Sequence, residues 1–393
     1  MNKSTTLAVA SSASAFLIVL TAANLRPALT TVGPLLEQIR QDAGITLSAA
    51  GLLNSLALLA LGLFAPLGHF ARRFGADRVL FAALLMLVTG LAIRSLGSVA
   101  ALFGGTLLLG AGIAIGNVLV PSIIKRDFPH RVHGMTSIYA VSLGVTAGIA
   151  SGLAIPLAGF LPGGWRSALA IWAIPALIAA IAWMPRAFRA VPNHHHAAHA
   201  APVVLWRSSV AWAVTGFMGL QSLLFYVIIS WFPTILQGQG FTPAASGWML
   251  TAYQLVALAV SAAVPVIIGR LRNQSLFAAL ASLAIAVGML GYLAVPSAIY
   301  LWMVLLGLGG GCCLTLALSF IGLRAADHHE AAVLSIMAQS LGYILAATGP
   351  FSFGLLHDLS GSWTPSLALL AALAIVQAAV GYYAGRAVTA SGR

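Results

Sequence analysis

Arg26 stands alone as a charge inside a long apolar run, 8–36. An arginine at the centre of a membrane helix costs ~2.5 to 3.5 kcal/mol on insertion scales, so such a group faces a cavity, a partner or a ligand. No acid falls in the middle of any apolar run. Glu37 and Asp42 lie at the far end of the first one, Asp358 lies on that same side, and Asp77, Asp127, Asp327 and Glu330 lie on the other. Without a buried carboxylate to neutralise it, the guanidinium is available for an anion or an electron-rich planar ring, which its fork and its flat face both suit. The competing use is structural, because Pro27 has no N–H and frees a carbonyl nearby for the arginine to bind.

Other polar side chains sit mid-run. Ala22, Ala23, Arg26, Thr30, Gly33 and Glu37 share one helical stripe, with small residues flanking the charge. Asn117, Tyr139, Ser142, Gln221, Tyr253 and Gln254 lie in further runs, and Ser335, Gln339 and Tyr343 form an i, i+4, i+8 line. They supply donors, acceptors and aromatic faces but no second charge. Each serves equally well as an interhelical hydrogen bond. The candidate solute contacts are Arg26, Thr30, Asn117, Tyr139, Gln221, Tyr226, Tyr253, Gln254, Gln339 and Tyr343.

The elements that must hold these residues follow from composition. Of 393 residues 60% are hydrophobic and only 7% charged, against roughly 25% charge in a soluble domain. Twelve membrane helices of ~20 residues need ~240 apolar positions, which this composition supplies. Lipid cannot satisfy an open backbone, and the long runs lack strand alternation, so the spans are helices. We place them at 8–36, 46–70, 79–97, 101–123, 134–157, 166–184, 209–236, 245–268, 275–295, 298–322, 331–356 and 365–385. The run after Lys3 is read as the first span and not as a cleavable signal peptide, because hydrophobicity continues past Ala23.

With the N-terminus in the cytoplasm, Lys3, Arg72, Arg73, Arg78, Lys125, Arg126, Arg131, Arg186, Arg189, Arg207, Arg270, Arg272, Arg324, Arg386 and Arg393 all lie inside. Arg40, Arg94 and Arg166 lie outside. The positive-inside rule therefore puts both termini in the cytoplasm. The formal charge of +12 is explained by topology and not by nucleic acid, since the basic residues form no patch.

The one long hydrophilic connection runs near the midpoint, so the chain divides into a six-helix bundle at 1–185, a linker at 186–207 and a second bundle at 208–393. SIYAVSLG (137–144) in span 5 matches SIMAQSLG (335–342) in span 11 at six of eight positions, an offset of 198. An offset of 199 pairs Pro34 with Pro233, and Gly51…Pro66 echoes Gly247…Pro265. We read this as duplication. The repeat sets Phe225 and Tyr226 opposite Arg26 and Pro27, giving a site basic on one side and aromatic on the other.

Twelve spans in two repeats resemble the major facilitator superfamily. GHFARRFGADRVL (68–80) is similar to that superfamily's loop signature after span 2, but Arg72 stands where the signature has an acid, which puts the usual charge latch in doubt. NLRPALTTVGPLL (24–36), GNVLVPSIIKRDFP (116–129), SLLFYVIISWFP (222–233), SFIGLRA (319–325) and MAQSLGYILAATGP (337–350) resemble the cyanate and 2-nitroimidazole permease family (CynX/NimT). The nitroimidazole exporter branch is the nearer one. The resemblance implies alternating-access movement of a small planar anion or azole across the inner membrane, with efflux as the expected direction.

Other motifs carry less. GLGGGCC (307–313) follows no strand and reads as helix packing, as does the GxxxGxxxG line of Gly144, Gly148 and Gly152 with Pro156. Adjacent Cys312 and Cys313 point about 100° apart and do not pair. The histidines at 194–196 and His199 bind metal only adventitiously. No cofactor, metal site or enzyme motif is expected, and the partners are a small-molecule solute and the lipid bilayer, with one chain as the working unit. His69, His130, His133, His328, His329 and His357 all fall at span ends or in loops, so no proton relay crosses the core. Proton-linked uptake would have to use Glu37 or His357. The alternatives are a proton-coupled polyspecific drug antiporter, disfavoured by the missing intramembrane acid, and a receptor that binds without transporting, disfavoured by the lack of an output domain.

Overall fold

The structure, a computed structural model, describes residues 3–188 and 205–390, with side chains from Ser12 onward except those of His69, Arg72, His133, His328 and His329. The expected histidine run at 194–199, Arg189, Arg393 and most of the proposed linker lie outside the described residues, as does the side chain of Lys3.

Among the described residues twelve helices are long and apolar enough to cross a membrane: Ser12–Thr30, Leu47–Gly68, Ala76–Arg94, Val99–Asp127, Gly134–Phe160, Trp165–Ala187, Ser209–Gly238, Pro243–Ile268, Ser275–Ala294, Pro296–Leu323, Glu330–Ser360 and Thr364–Ala384. They are spans 1 to 12 below, and each falls within a few residues of the sequence expectation except at the two ends of span 1. Starts are fixed by caps: Thr46, Ser98, Ser208 and Thr242 accept from the backbone N–H three residues on. Span 6 runs on through Ala187, so Arg186 belongs to the first bundle and not to the linker.

Packing repeats between the halves. Spans 3 and 6, 2 and 4, 3 and 4, and 1 and 6 pack within the first half, and spans 9 and 12, 8 and 10, 9 and 10, and 7 and 12 do so in the second. Between halves, span 2 meets span 11, span 5 meets span 8, and the segment after span 1 (Val32–Ala43) meets span 7. The glycine line on span 5 sits on this seam, with Gly144 facing Leu258, Gly148 facing Thr251 and Gly152 facing Trp248. Gly307, Gly309 and Gly311 let span 10 approach spans 8 and 9, as the packing reading expects.

The seam is tightest at the end of the bundle away from the termini. A Cβ on Gly33 would lie 1.9 Å from the Ile229 carbonyl oxygen, and one on Gly51 would lie 2.2 Å from that of Pro350. Asn54 donates to Ser230 (2.7 Å), the Phe351 N–H to Ser55 (3.1 Å) and the Ser48 N–H to Asp358 (2.8 Å). Every one of these bonds joins the two halves.

At the terminus end of the first half, the side chains of Asp77, Arg126, Asp127 and Arg186 form one cluster. Arg126 donates to both Asp77 oxygens (2.8 and 3.0 Å) and to Asp127 (2.7 Å), while Arg186 reaches Asp127 (2.8 Å), Asp77 (3.0 Å) and Ser14 (2.9 Å). Thus Asp77, five residues past Arg72, supplies a latch within the first bundle. The 198-residue offset carries Arg126 onto Arg324, which bonds Gln274 and the Ala384 and Gly385 carbonyls instead of acids. Burial pushes the Arg324 guanidinium below its ordinary range. Asp77→Asn leaves two arginines competing for Asp127, so it is expected to destabilise the first bundle by about 1 to 3 kcal/mol, after discounting for the exposure of Arg126; a lowered melting temperature of the detergent-solubilised protein checks this.

Candidate functional site

Span 1 is not one helix. Pro27 interrupts it at Arg26, the four-residue turn Pro27–Thr30 follows, and a second helix, Val32–Ala43, begins after Thr31. The missing proline N–H is the physical cause. At this break the Arg26 carbonyl accepts from the N–H groups of Leu29 (3.0 Å) and Thr30 (3.1 Å).

The Arg26 side chain crosses to the other half. Its Nη1 donates to the Tyr226 hydroxyl at 2.7 Å, and its Cζ lies 6.0 Å from the ring centres of both Phe225 and Tyr226. Those two rings stand edge to face, 5.2 Å apart at 85°. Tyr139 and Tyr343 lie within electrostatic reach of the guanidinium. Tyr139 donates in turn to Asn117 Oδ1 (3.2 Å), and one turn before Tyr343, Gln339 donates to Ser335 (2.8 Å). Among the described residues no carboxylate pairs with Arg26.

Exposure reveals a shared space at this group. On span 1 everything from Pro27 to Leu36 is buried, whereas Arg26, Ala23, Val19 and Phe16 retain exposure at helical spacing. On span 4, residues 109–116 are buried, whereas Asn117, Val118, Pro121, Ser122 and Lys125 are not. Span 7 is buried from Phe217 to Pro233 except at Phe225. The partly exposed residues of spans 1 and 4 thus lie from the aromatic and guanidinium group toward the terminus end, while the seam closes the other end.

Arg26, Asn117, Tyr139, Tyr226, Gln339 and Tyr343 are brought to this space. Four other candidates are not. Thr30 is buried and donates to the Ala147 carbonyl (3.0 Å), fastening the break to span 5. Gln254 donates to Ser151 (2.8 Å) across the seam. The Tyr253 hydroxyl lies 3.1 Å from where a Cβ on Gly310 would be, which turns it into the second bundle, although its ring is 6.3 Å from that of Phe225. Gln221 is buried and accepts from its neighbour Ser222 (3.3 Å). Periodicity gives a residue's depth along a helix but not which of two interior faces it points to.

Arg94, expected at the outer end of the span at 79–97, is the last residue of span 3. It is 1% exposed, and its Nη1 donates to the Ala28 carbonyl (2.7 Å), so it faces inward and not the outer interface.

Beyond the seam, at the end away from the termini, a cleft of about 750 Å³ is lined by Glu37, Arg40, His357, Asp358 and Trp363, among others. His357 stacks on Trp363 at 4.2 Å. Arg40, with Gln41, holds the Glu37 carboxyl below its usual range, so Glu37 stays ionised through neutral pH.

Twelve helices in two repeated sets of six, joined by a closed seam at one end, are the architecture of a solute carrier, and the chain belongs to the Major Facilitator Superfamily, whose profile matches residues 12–350. The 2-nitroimidazole transporter of Escherichia coli is 43% identical over 94% of this chain and 94% of its own. The cyanate transport protein CynX of the same organism is 30% identical over 88% and 90%. Within the superfamily the chain is a permease of this CynX/NimT family, a multi-pass inner-membrane transporter. A bacterial homologue of the human lysosomal transporter Spinster shares the fold, with a TM-score of 0.77 at 14% identity over 95% of this chain and 97% of that one.

Proposed function

We propose that the chain moves a small planar anion or azole by alternating access, outward from the cytoplasm, with Arg26 as its charge anchor. The observation that carries this reading is a membrane-embedded guanidinium with no carboxylate partner among the described residues, bonded to a phenol and flanked by aromatic rings next to the closed seam between the halves. A planar anion fits that cradle: the guanidinium binds its edge and the rings cover its face. Asn117, Tyr139, Gln339 and Tyr343 add neutral donors and acceptors around it. The solutes named for the two relatives, 2-nitroimidazole and cyanate, are a small planar azole and a small linear anion.

We place the terminus end in the cytoplasm from the excess of basic residues there. An anion leaving an inside-negative cell then gains ~2.3 kcal/mol per 100 mV, a roughly 50-fold gradient. Export needs no proton. In proteoliposomes carrying the purified protein, flux of 2-nitroimidazole or cyanate is expected to follow an imposed potential and to persist when the pH gradient is collapsed. Flux that ignores voltage and requires the pH gradient would support a proton-coupled antiporter instead.

Tyr226→Phe removes the hydroxyl that orients Arg26 while keeping the ring. It is expected to raise KM about three- to tenfold, the worth of one ordinary hydrogen bond, with the saturated rate within about twofold. Concentration series of initial flux in proteoliposomes check both.

A further inference from the structure

The first half holds a second membrane-buried arginine, and it touches the same break in span 1 from behind. Arg94 donates to the Ala28 carbonyl at 2.7 Å, two residues past Arg26, and among the described residues its Nε and Nη2 have no partner. At 1% exposure it is shut off from the space that Arg26 faces, so it does not bind the solute directly. What it holds is main chain.

The other carbonyls of the break are held too. The Pro27 oxygen accepts from Thr31, through its N–H (3.1 Å) and its hydroxyl (2.7 Å). The Thr30 oxygen, freed by the missing N–H of Pro34, accepts from Ser151 (3.2 Å). Thr30 itself reaches the Ala147 carbonyl. Span 5 therefore ties the far end of the turn, and Arg94 of span 3 ties its beginning.

The repeat sharpens this reading. An offset of 198 carries Arg94 onto Tyr292, a neutral ring 5.8 Å from Phe232, and the offset of 199 that pairs Pro34 with Pro233 carries Arg26 onto Phe225. Neither arginine has a basic repeat mate in the second half, and the two lie one on each side of one interrupted helix.

We infer that Arg94 is a positioning residue for the solute site, holding the Pro27–Thr30 turn so that Arg26 points across to span 7. A charged donor makes the strongest bond available to a carbonyl in a low-dielectric interior. Its Nε and Nη2 carry further N–H donors in the same plane. The inference rests on Arg26 being the anchor.

The test measures 2-nitroimidazole binding to purified protein in five variants: Arg26→Lys, Arg94→Gln, Arg94→Lys, and each Arg94 change combined with Arg26→Lys. Arg94→Gln is expected to weaken binding about tenfold and Arg94→Lys, which keeps the charge and one donor, about threefold. Neither adds a further loss in the Arg26→Lys background, because residues acting as one unit are not additive. A purely structural Arg94 would repeat its full loss there, and that result overturns the inference, as does unchanged affinity in the single variants. If Arg94→Gln does not reach the membrane folded, the lysine pair decides alone by the same two criteria. Failure of the anchor reading is seen separately, as unimpaired binding by Arg26→Lys itself.

Discussion

Arg26→Ala is expected to reach the membrane in normal amounts and to lose solute flux by about 10- to 100-fold. The lower bound is one charge-assisted hydrogen bond and the upper bound is two, at about 1.5 to 3 kcal/mol in total. Insertion should not suffer, because removing an arginine from mid-membrane relieves an insertion penalty. Packing should survive as well, since the side chain's only described hydrogen bond is to the Tyr226 hydroxyl and its rim is already open. Arg26→Lys is expected to fall close to alanine, because a point charge cannot match a planar fork and does not lie flat beside Phe225 and Tyr226. Transport of radiolabelled 2-nitroimidazole, normalised to protein in the membrane, measures both. Flux within twofold of the parent in the alanine variant would remove Arg26 from the site.

The second large effect concerns closure. Gly33 meets the Ile229 carbonyl so closely that a methyl group there would lie 1.9 Å from the oxygen and 3.1 Å from its carbon. Pro233, four residues on, leaves that carbonyl without its helical partner, which lets it lean onto Gly33. Pro34 and Pro233 are repeat mates, so the seam closes where two proline-bearing helices meet. Both clashing atoms are main chain, and no rotamer relieves them. Gly33→Ala is therefore expected to fold, because each half keeps its own core, while the state with this seam closed loses about 1 to 3 kcal/mol as an overpacked contact. That shifts the population toward the opposite state and lowers flux about 10- to 100-fold. Ser230 is buried at the seam. In a Cys312→Ala, Cys313→Ala background, Ser230→Cys should become reactive to a membrane-impermeant thiol reagent only when Gly33→Ala is also present. Unchanged flux with Ser230→Cys still protected would show that the seam tolerates the methyl group.

The spans, the duplication and Arg26 were legible in the sequence because each rests on a strong local signal: apolar length, an eight-residue echo, and a charge where lipid forbids one. Side-chain direction was not legible. Tyr253, Gln254, Thr30 and Gln221 sit at the right depth, yet they serve the seam, the break or the second bundle, since small rotations about a helix axis decide the matter and periodicity does not resolve them. Arg94 was placed at the outer end of its span, but that its side chain turns inward to a carbonyl of span 1 was not legible, for the same reason. The signature after span 2 looked broken at Arg72, but the acid had only moved: Asp77 holds Arg126 and Arg186. That substitution was visible only with the helices assembled, because the three residues lie on spans 3, 4 and 6.

The charge-anchor claim is tested most directly by equilibrium binding of 2-nitroimidazole to the purified protein and to Arg26→Gln across a pH series that spans dissociation of the ring N–H. The account predicts that affinity rises as the ligand becomes an anion and that this rise vanishes with the guanidinium. Equal affinities in the two proteins, with the same pH profile, would contradict it.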